Sequence, residues 1–131
     1  MNISSAGSAD QRTAEGGLAG RLSVTFHDAA TLCDTDAANQ TLTMTVRDRV
    51  VIFITDGTYT TSCVLPPVAE ASGMFFSFSV QTDGGQNVTI TDKGDDTDFD
   101  DLTLADVNDR CLTYSDGIHW HAIDTGSATI S

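Results

Sequence analysis

The segment CLTYSDGIHWHAI, residues 111–123, decides how the chain is read. It contains two apolar-alternating runs, 111–115 and 118–123, joined at Asp116-Gly117. A type I′ turn needs φ > 0 at both central residues, and Asp-Gly tolerates this well, so the segment predicts a β-hairpin. Strand alternation sends Ile118, Trp120 and Ala122 to one face and His119, His121 and Ile123 to the other. Trp120 is the only tryptophan of the chain, and its face is expected to be the core face.

Outward from this hairpin the same pattern recurs. Strands are expected at 21–27 (Leu22, Val24 and Phe26 inward), 40–46, 50–54, 58–65, 74–80 and 86–92. Residues 50–54, VVIFI, are apolar on both faces, which predicts a central strand covered on both sides or one facing another subunit. Asp56-Gly57 and Asp83-Gly84-Gly85 are expected to close further hairpins. Pro66-Pro67 ends a strand because neither residue has an N–H to donate. Short helical turns are expected at 29–33 and at 68–72, the latter ended by Gly73. A weak echo relates Leu42-Thr43, Asp48-Arg49 and Asp56-Gly57 to Leu102-Thr103, Asp109-Arg110 and Asp116-Gly117, and shared turn chemistry is the preferred explanation over duplicated halves. The expected fold is all-β: a single antiparallel β-sandwich or jelly-roll-like barrel of about nine short strands over 21–131, preceded by an arm at 1–20. That arm is small and polar, and it is expected to be flexible unless ordered against a partner.

Composition narrows the function. The 131 residues carry a formal net charge of −13, and Lys93 is the only lysine. Phosphate and anionic lipid repel such a surface, so neither nucleic acid nor membrane is an expected partner. No run of residues has the length of a membrane span, and 1–20 lacks the layout of a signal peptide. Cys33, Cys63 and Cys111 have no metal-ligand spacing and are expected to be buried free thiols.

Two constellations invite chemistry. Residues 92–101, DKGDDTDFDD, hold six carboxylates with Lys93 as the one counter-charge. Calcium takes oxygens from such loops, but an EF-hand spacing and a closing Glu are missing, so a solvated acidic loop is the preferred reading. His119 and His121 lie two apart on one strand face and would chelate zinc if a third ligand arrived, with His27-Asp28 the distant candidate; ordinary surface histidines are preferred. No nucleophile elbow, zincin, P-loop or dinucleotide motif occurs, and the expectation is a non-enzyme without cofactor or metal.

Leu65-Pro66, the small-residue link 69–73, the aromatic strand 74–78, Gly84-Gly85, Val88-Thr89-Ile90, Leu102-Thr103-Leu104 and Ser115-Asp116-Gly117…Trp120 follow one another in a pattern. It resembles a β module of tailed-bacteriophage virion proteins, and the likeness covers residues 64–123. Such modules occur in head decoration proteins, in fibres and in other virion parts. A short acidic chain without a repetitive shaft is most similar to the head decoration, or cement, proteins. The resemblance implies a homotrimer on the capsid exterior, partnered by the major capsid protein. Expected contacts are Ile3, Arg12, Leu18, Arg21, Arg47 and Arg49. The alternative is a receptor- or glycan-binding tip or tail fibre domain, which needs Tyr59, Tyr114 or Trp120 facing solvent.

Overall fold

The structure, a computed structural model, describes residues 29–126 and 128–130. The expected arm, the expected strand at 21–27 and the candidate contacts Ile3, Arg12, Leu18 and Arg21 lie outside the described residues. The described chain forms ten strands and no helix: β1 Thr31–Asp34, β2 Gln40–Thr43, β3 Val50–Ile54, β4 Thr61–Val64, β5 Phe75–Thr82, β6 Val88–Thr91, β7 Leu102–Leu104, β8 Arg110–Ser115, β9 Trp120–Asp124 and β10 Thr129–Ile130. They build two five-stranded sheets. The first has the order β1-β3-β5-β8-β9 and the second β10-β7-β6-β4-β2. The fold is a two-layer all-β sandwich.

The strand directions correct the antiparallel expectation. β1, β3 and β5 pair in parallel, as do β2, β4 and β6. Antiparallel pairing is confined to the later strands, β5 with β8, β8 with β9, β6 with β7 and β7 with β10. The chain therefore alternates between sheets through β6, laying three two-strand rungs on one another, and the antiparallel strands finish both sheets. Each crossover runs through the opposite layer, which is how parallel neighbours are joined here without a helix.

The crossings explain why two expected hairpins do not form. Thr35-Asp36, Thr55-Asp56 and Thr82-Asp83 open the three corners at which the chain leaves the first sheet. The Thr35 N–H donates to the Ile54 carbonyl and the Thr55 N–H to the Thr82 carbonyl, so the corners stack rung on rung. Asp56 Oδ2 accepts from the Thr58 and Tyr59 N–H groups, and Asp83 Oδ1 from Gly85, closing each corner locally. A Cβ on Gly84 would lie 2.5 Å from the Thr55 carbonyl oxygen, so glycine is what permits that stacking.

Asp116-Gly117 does close a hairpin, between β8 and β9. It is not a type I′ turn. Asn108 is the one described non-glycine residue at positive φ, and the loop runs from Asp116 to His119 with Asp116 Oδ1 accepting from the Ile118 and His119 N–H groups. Residues 29–33 form no helical turn; Thr31 to Cys33 belong to β1. At 67–73 a single turn forms, with the Ala71 N–H on the Pro67 carbonyl and Gly73 at φ +78°.

The core lies between the sheets. In the first sheet Cys33, Phe53 and Val80 make one inward row and Val51, Phe78 and Cys111 the next. Leu42, Cys63, Ile90 and Leu102 face them from the second. Phe76 and Trp120 meet edge to face at 5.7 Å between ring centroids. Full burial of each large side chain contributes about 1.5–3 kcal/mol, so these rows are what hold the layers together.

Candidate functional site

Three regions carry features beyond packing: the corner where loop 92–101 meets the β8–β9 loop, the outer face of the first sheet, and the outer face of the second.

At the corner, Asp96 is buried, with its side chain 1% exposed. Its Oδ2 accepts from the Trp120 N–H at 2.7 Å, and its Oδ1 accepts from the Asp98 N–H at 3.0 Å and lies 3.2 Å from His119 Nδ1. Because an ionised carboxylate only accepts, Nδ1 is the protonated ring nitrogen. Burial pulls the Asp96 pKa upward, but the hydrogen bonds from Trp120, Asp98 and His119 outweigh it and hold the carboxyl below its ordinary value. The bond to Asp96 in turn raises the His119 pKa above the ordinary imidazole value. His121 goes elsewhere, its Nε2 2.9 Å from Asp116 Oδ2. Hydrogen bonds from His121 and from the His119 and Ile118 N–H groups push the Asp116 carboxyl far down.

The two histidines thus serve different carboxylates rather than a common ligand. Among the described residues, Asp96, Asp98 and His119 are the group whose ligand atoms lie within 4.8 Å of one another, and His121 is not in it. The Asp96 pairings give these residues a structural role: they fix the β9 start and the acidic loop to each other. Beside them a cleft of about 150 Å³ is lined by Asp98, Phe99, Asp100, Leu102, Trp120, Ala122 and Ile130. Trp120 Nε1 is buried without a hydrogen-bond partner among the described residues.

The first sheet's outer face is apolar over β1 and β3 and mixed over β5, β8 and β9. Following the register, Leu32, Ile52, Ser79 and Arg110 form one row, Val50, Ser77, Leu112 and Asp124 the next, and Phe75, Tyr114 and His121 a third. Leu32, Val50 and Phe75 are 57%, 44% and 46% exposed. VVIFI therefore divides as alternation requires: Val51 and Phe53 are core, while Val50, Ile52 and Ile54 point outward from a strand that no other described part of the chain covers.

The second sheet's outer face is the opposite in character. Thr41, Ser62, Thr89, Thr103 and Thr129 stand in register across all five strands, with Thr43, Val64 and Thr91 as the next row. Val64 is the one apolar side chain in these two rows of hydroxyls.

The candidate contacts among the described residues are Arg47 and Arg49. Arg47 is exposed in the loop before β3. Arg49 is held on its own molecule, with Nε donating to the Phe75 carbonyl at 2.9 Å and Cζ 5.3 Å from the Phe76 ring centroid. Arg49 thereby lies at the margin of the outer face, beside Phe75. Trp120, 5% exposed, is the core anchor expected from alternation and is not a solvent-facing ring, while Tyr114 packs against Phe75 on the outer face at 4.8 Å between centroids. All three cysteines are buried and free. Comparison with protein-family models, curated proteins and solved structures finds no match for the chain.

Proposed function

We propose that this chain is a non-enzymatic structural protein of a tailed-phage virion, a homotrimeric decoration protein that binds the major capsid protein on the outer surface of the head. One observation carries most weight. The separate pieces of the virion-module pattern come together as a single knot. The Ser115 hydroxyl donates to the Val68 carbonyl at 2.6 Å, and the Gly73 N–H donates to the Ser115 carbonyl at 2.8 Å. Any Cβ on Gly117 would crowd Ser72 Oγ at 2.8 Å, and Leu65 and Trp120 are both buried. The small link to glycine and Ser-Asp-Gly are thus tied to each other directly, with Leu65 and Trp120 in the same core, which gives a physical reason for their occurring as a set. The net charge of −13 supports an outward-facing cap that does not adhere to nucleic acid.

A protein that binds only the assembled shell stabilises it by linkage, about 2.7 kcal/mol per site at a hundredfold excess over Kd. The test is co-sedimentation of the purified chain with expanded heads of a candidate phage, together with the heat resistance of those heads. Saturable binding and a raised disruption temperature are expected. Failure to bind heads in either expanded or unexpanded form sinks the proposal.

A second reading has one observation in its favour. Phe75, 46% exposed, and the half-buried Tyr114, its ring tilted 46° to that of Phe75, offer an aromatic surface against which a sugar ring can pack, as a receptor-binding tip would need. Binding to a glycan array that is lost in Tyr114→Ala would favour it over decoration.

A further inference from the structure

We infer that the outer face of the β1-β3-β5-β8-β9 sheet is the surface on which copies of this chain pack against one another. The inference relies on the decoration reading only for the number of copies, three.

Three features identify a second copy as the occupant. The first is contrast within the molecule. Both sheets have an inner face in the core, yet one outer face carries a row of hydroxyls and the other carries Leu32, Val50, Ile52, Phe75, Leu112 and Tyr114. Identical solvent exposure does not call for two such different surfaces; a covered one and a wetted one does.

The second feature is charge. Two copies of a chain of net charge −13 repel each other over most orientations. The three outward rows of this sheet hold one carboxylate, Asp124, and one guanidinium, Arg110, both on the β8-β9 side, with Asp34 at the border and the Asp116 carboxylate bonded to His121 at the β8–β9 end. Over β1, β3 and β5, where these rows carry Leu32, Val50, Ile52, Phe75, Ser77 and Ser79, a like-charged molecule can approach without burying unpaired charge, which is the condition a homo-oligomeric contact must meet.

The third feature is shape. On the central strand β5 the outward residues Ser77 and Ser79 are small. Val50 stands beside Ser77 on β3, with Leu112 on its other side on β8, and Ile52 stands beside Ser79. The face therefore has a groove along β5 next to a ridge along β3. Ridge and groove lie side by side on one copy, so each copy offers its ridge to one neighbour and its groove to the next. Such heterologous contacts close into a ring when the rotation permits.

The test uses the full chain at micromolar concentration, by size-exclusion chromatography with light scattering. Val50→Lys and Phe75→Lys replace side chains that are already partly exposed in the single chain, so the fold tolerates them; Thr89→Lys places the same charge on the hydroxyl face as a control. A three-chain mass for wild type and for Thr89→Lys is expected, with the mass of one chain for Val50→Lys and Phe75→Lys at unchanged far-ultraviolet circular dichroism. A monomeric wild type overturns the inference, and so does a Val50→Lys protein that keeps the wild-type mass. A monomeric wild type that nevertheless binds heads, and loses that binding in Val50→Lys, makes the face a docking site for capsid protein; self-association is then refuted while decoration stands. A multimer that binds no heads refutes decoration and leaves the self-association surface in place.

Discussion

Asp96 joins the acidic loop to the start of β9. It is a buried carboxylate whose two oxygens hold the first residue of β9, the Asp98 amide and the His119 ring. Asp96→Ala strands the Trp120 N–H, and a loss of about 2–3 kcal/mol in urea unfolding is expected. The pair also sets a pH dependence. His119 has a raised pKa in the folded chain, so its contribution is complete below the ordinary value of 6.5 and is lost as pH rises through the raised one. Asp96 has a lowered pKa, so its contribution is present above 3.8 and is lost as pH falls through the lowered value. The melting temperature should therefore fall as pH rises above 6.5 and through the raised His119 value, and His119→Gln should flatten that decline. The cysteines form a separate case. Burial, then the Asp124 charge, pushes Cys111 up to about 12, and burial raises Cys33 and Cys63 as well. Native protein at pH 8 should leave all three unmodified by a thiol reagent such as dithionitrobenzoate, and denatured protein should react fully; rapid labelling of the native chain would contradict the packing.

Among the elements, the stacked corners carry the parallel half of the fold. Gly84 and Gly94 separate two reasons for glycine. A Cβ on Gly84 meets the Thr55 carbonyl oxygen at 2.5 Å and the Asp56 backbone at 2.7 Å, whereas one on Gly94 meets nothing within 4 Å and suffers only from φ +84°. Gly84→Ala must push two rungs apart and should cost about 1–3 kcal/mol, against about 1 kcal/mol for Gly94→Ala. Chemical denaturation of the two variants measures the difference, and equal losses would mean that the corners are not in contact. Asp-Gly pairs were legible in the sequence as turns, because the Asx hydrogen bonds that make them are local. Their destination was not. Asp56-Gly57 and Asp83-Gly84 send the chain across the sandwich, while Asp116-Gly117 folds it back onto its neighbour, and only the partner of the following strand separates the two outcomes. The echo between 42–57 and 102–117 has the same explanation. Asp48 and Asp109 each close a loop by accepting backbone N–H groups, at Thr45 in one case and at Ala105 and Asp106 in the other, and each loop delivers the chain from the second sheet to the first.

For the whole molecule, net charge and the apolar face act against each other. Repulsion between copies at −13 is screened as the Debye length falls from about 30 Å at 0.01 M salt to about 3 Å at 1 M. The proposed self-association should therefore tighten with added salt, and it should tighten again as pH approaches the isoelectric point near 4.1, where solubility is lowest. Sedimentation velocity across a salt series checks this. Dissociation on adding salt would place ionic contacts, rather than the apolar rows, at the centre of the assembly.

By itself the sequence determined what is local or periodic: the all-β class, the two-residue alternation that buries Trp120, the turns at Asp-Gly, and the buried free cysteines. These follow from backbone sterics, side-chain period and hydrophobicity, which act within a few residues. The sequence left VVIFI as a strand covered on both sides or facing another subunit, whereas the described residues cover only the Val51 and Phe53 side. Only the tertiary structure decided the rest. It set parallel against antiparallel pairing, moved His119 to Asp96 and His121 to Asp116, and gathered hydroxyls on one outer face and apolar side chains on the other. Except for His121 and Asp116, five residues apart in one hairpin, each of these depends on which distant strands become neighbours. Strand pairing is a choice among non-local contacts of similar local chemistry, and it is settled by how the two sheets together bury Phe53, Phe76, Phe78, Leu65 and Ile90.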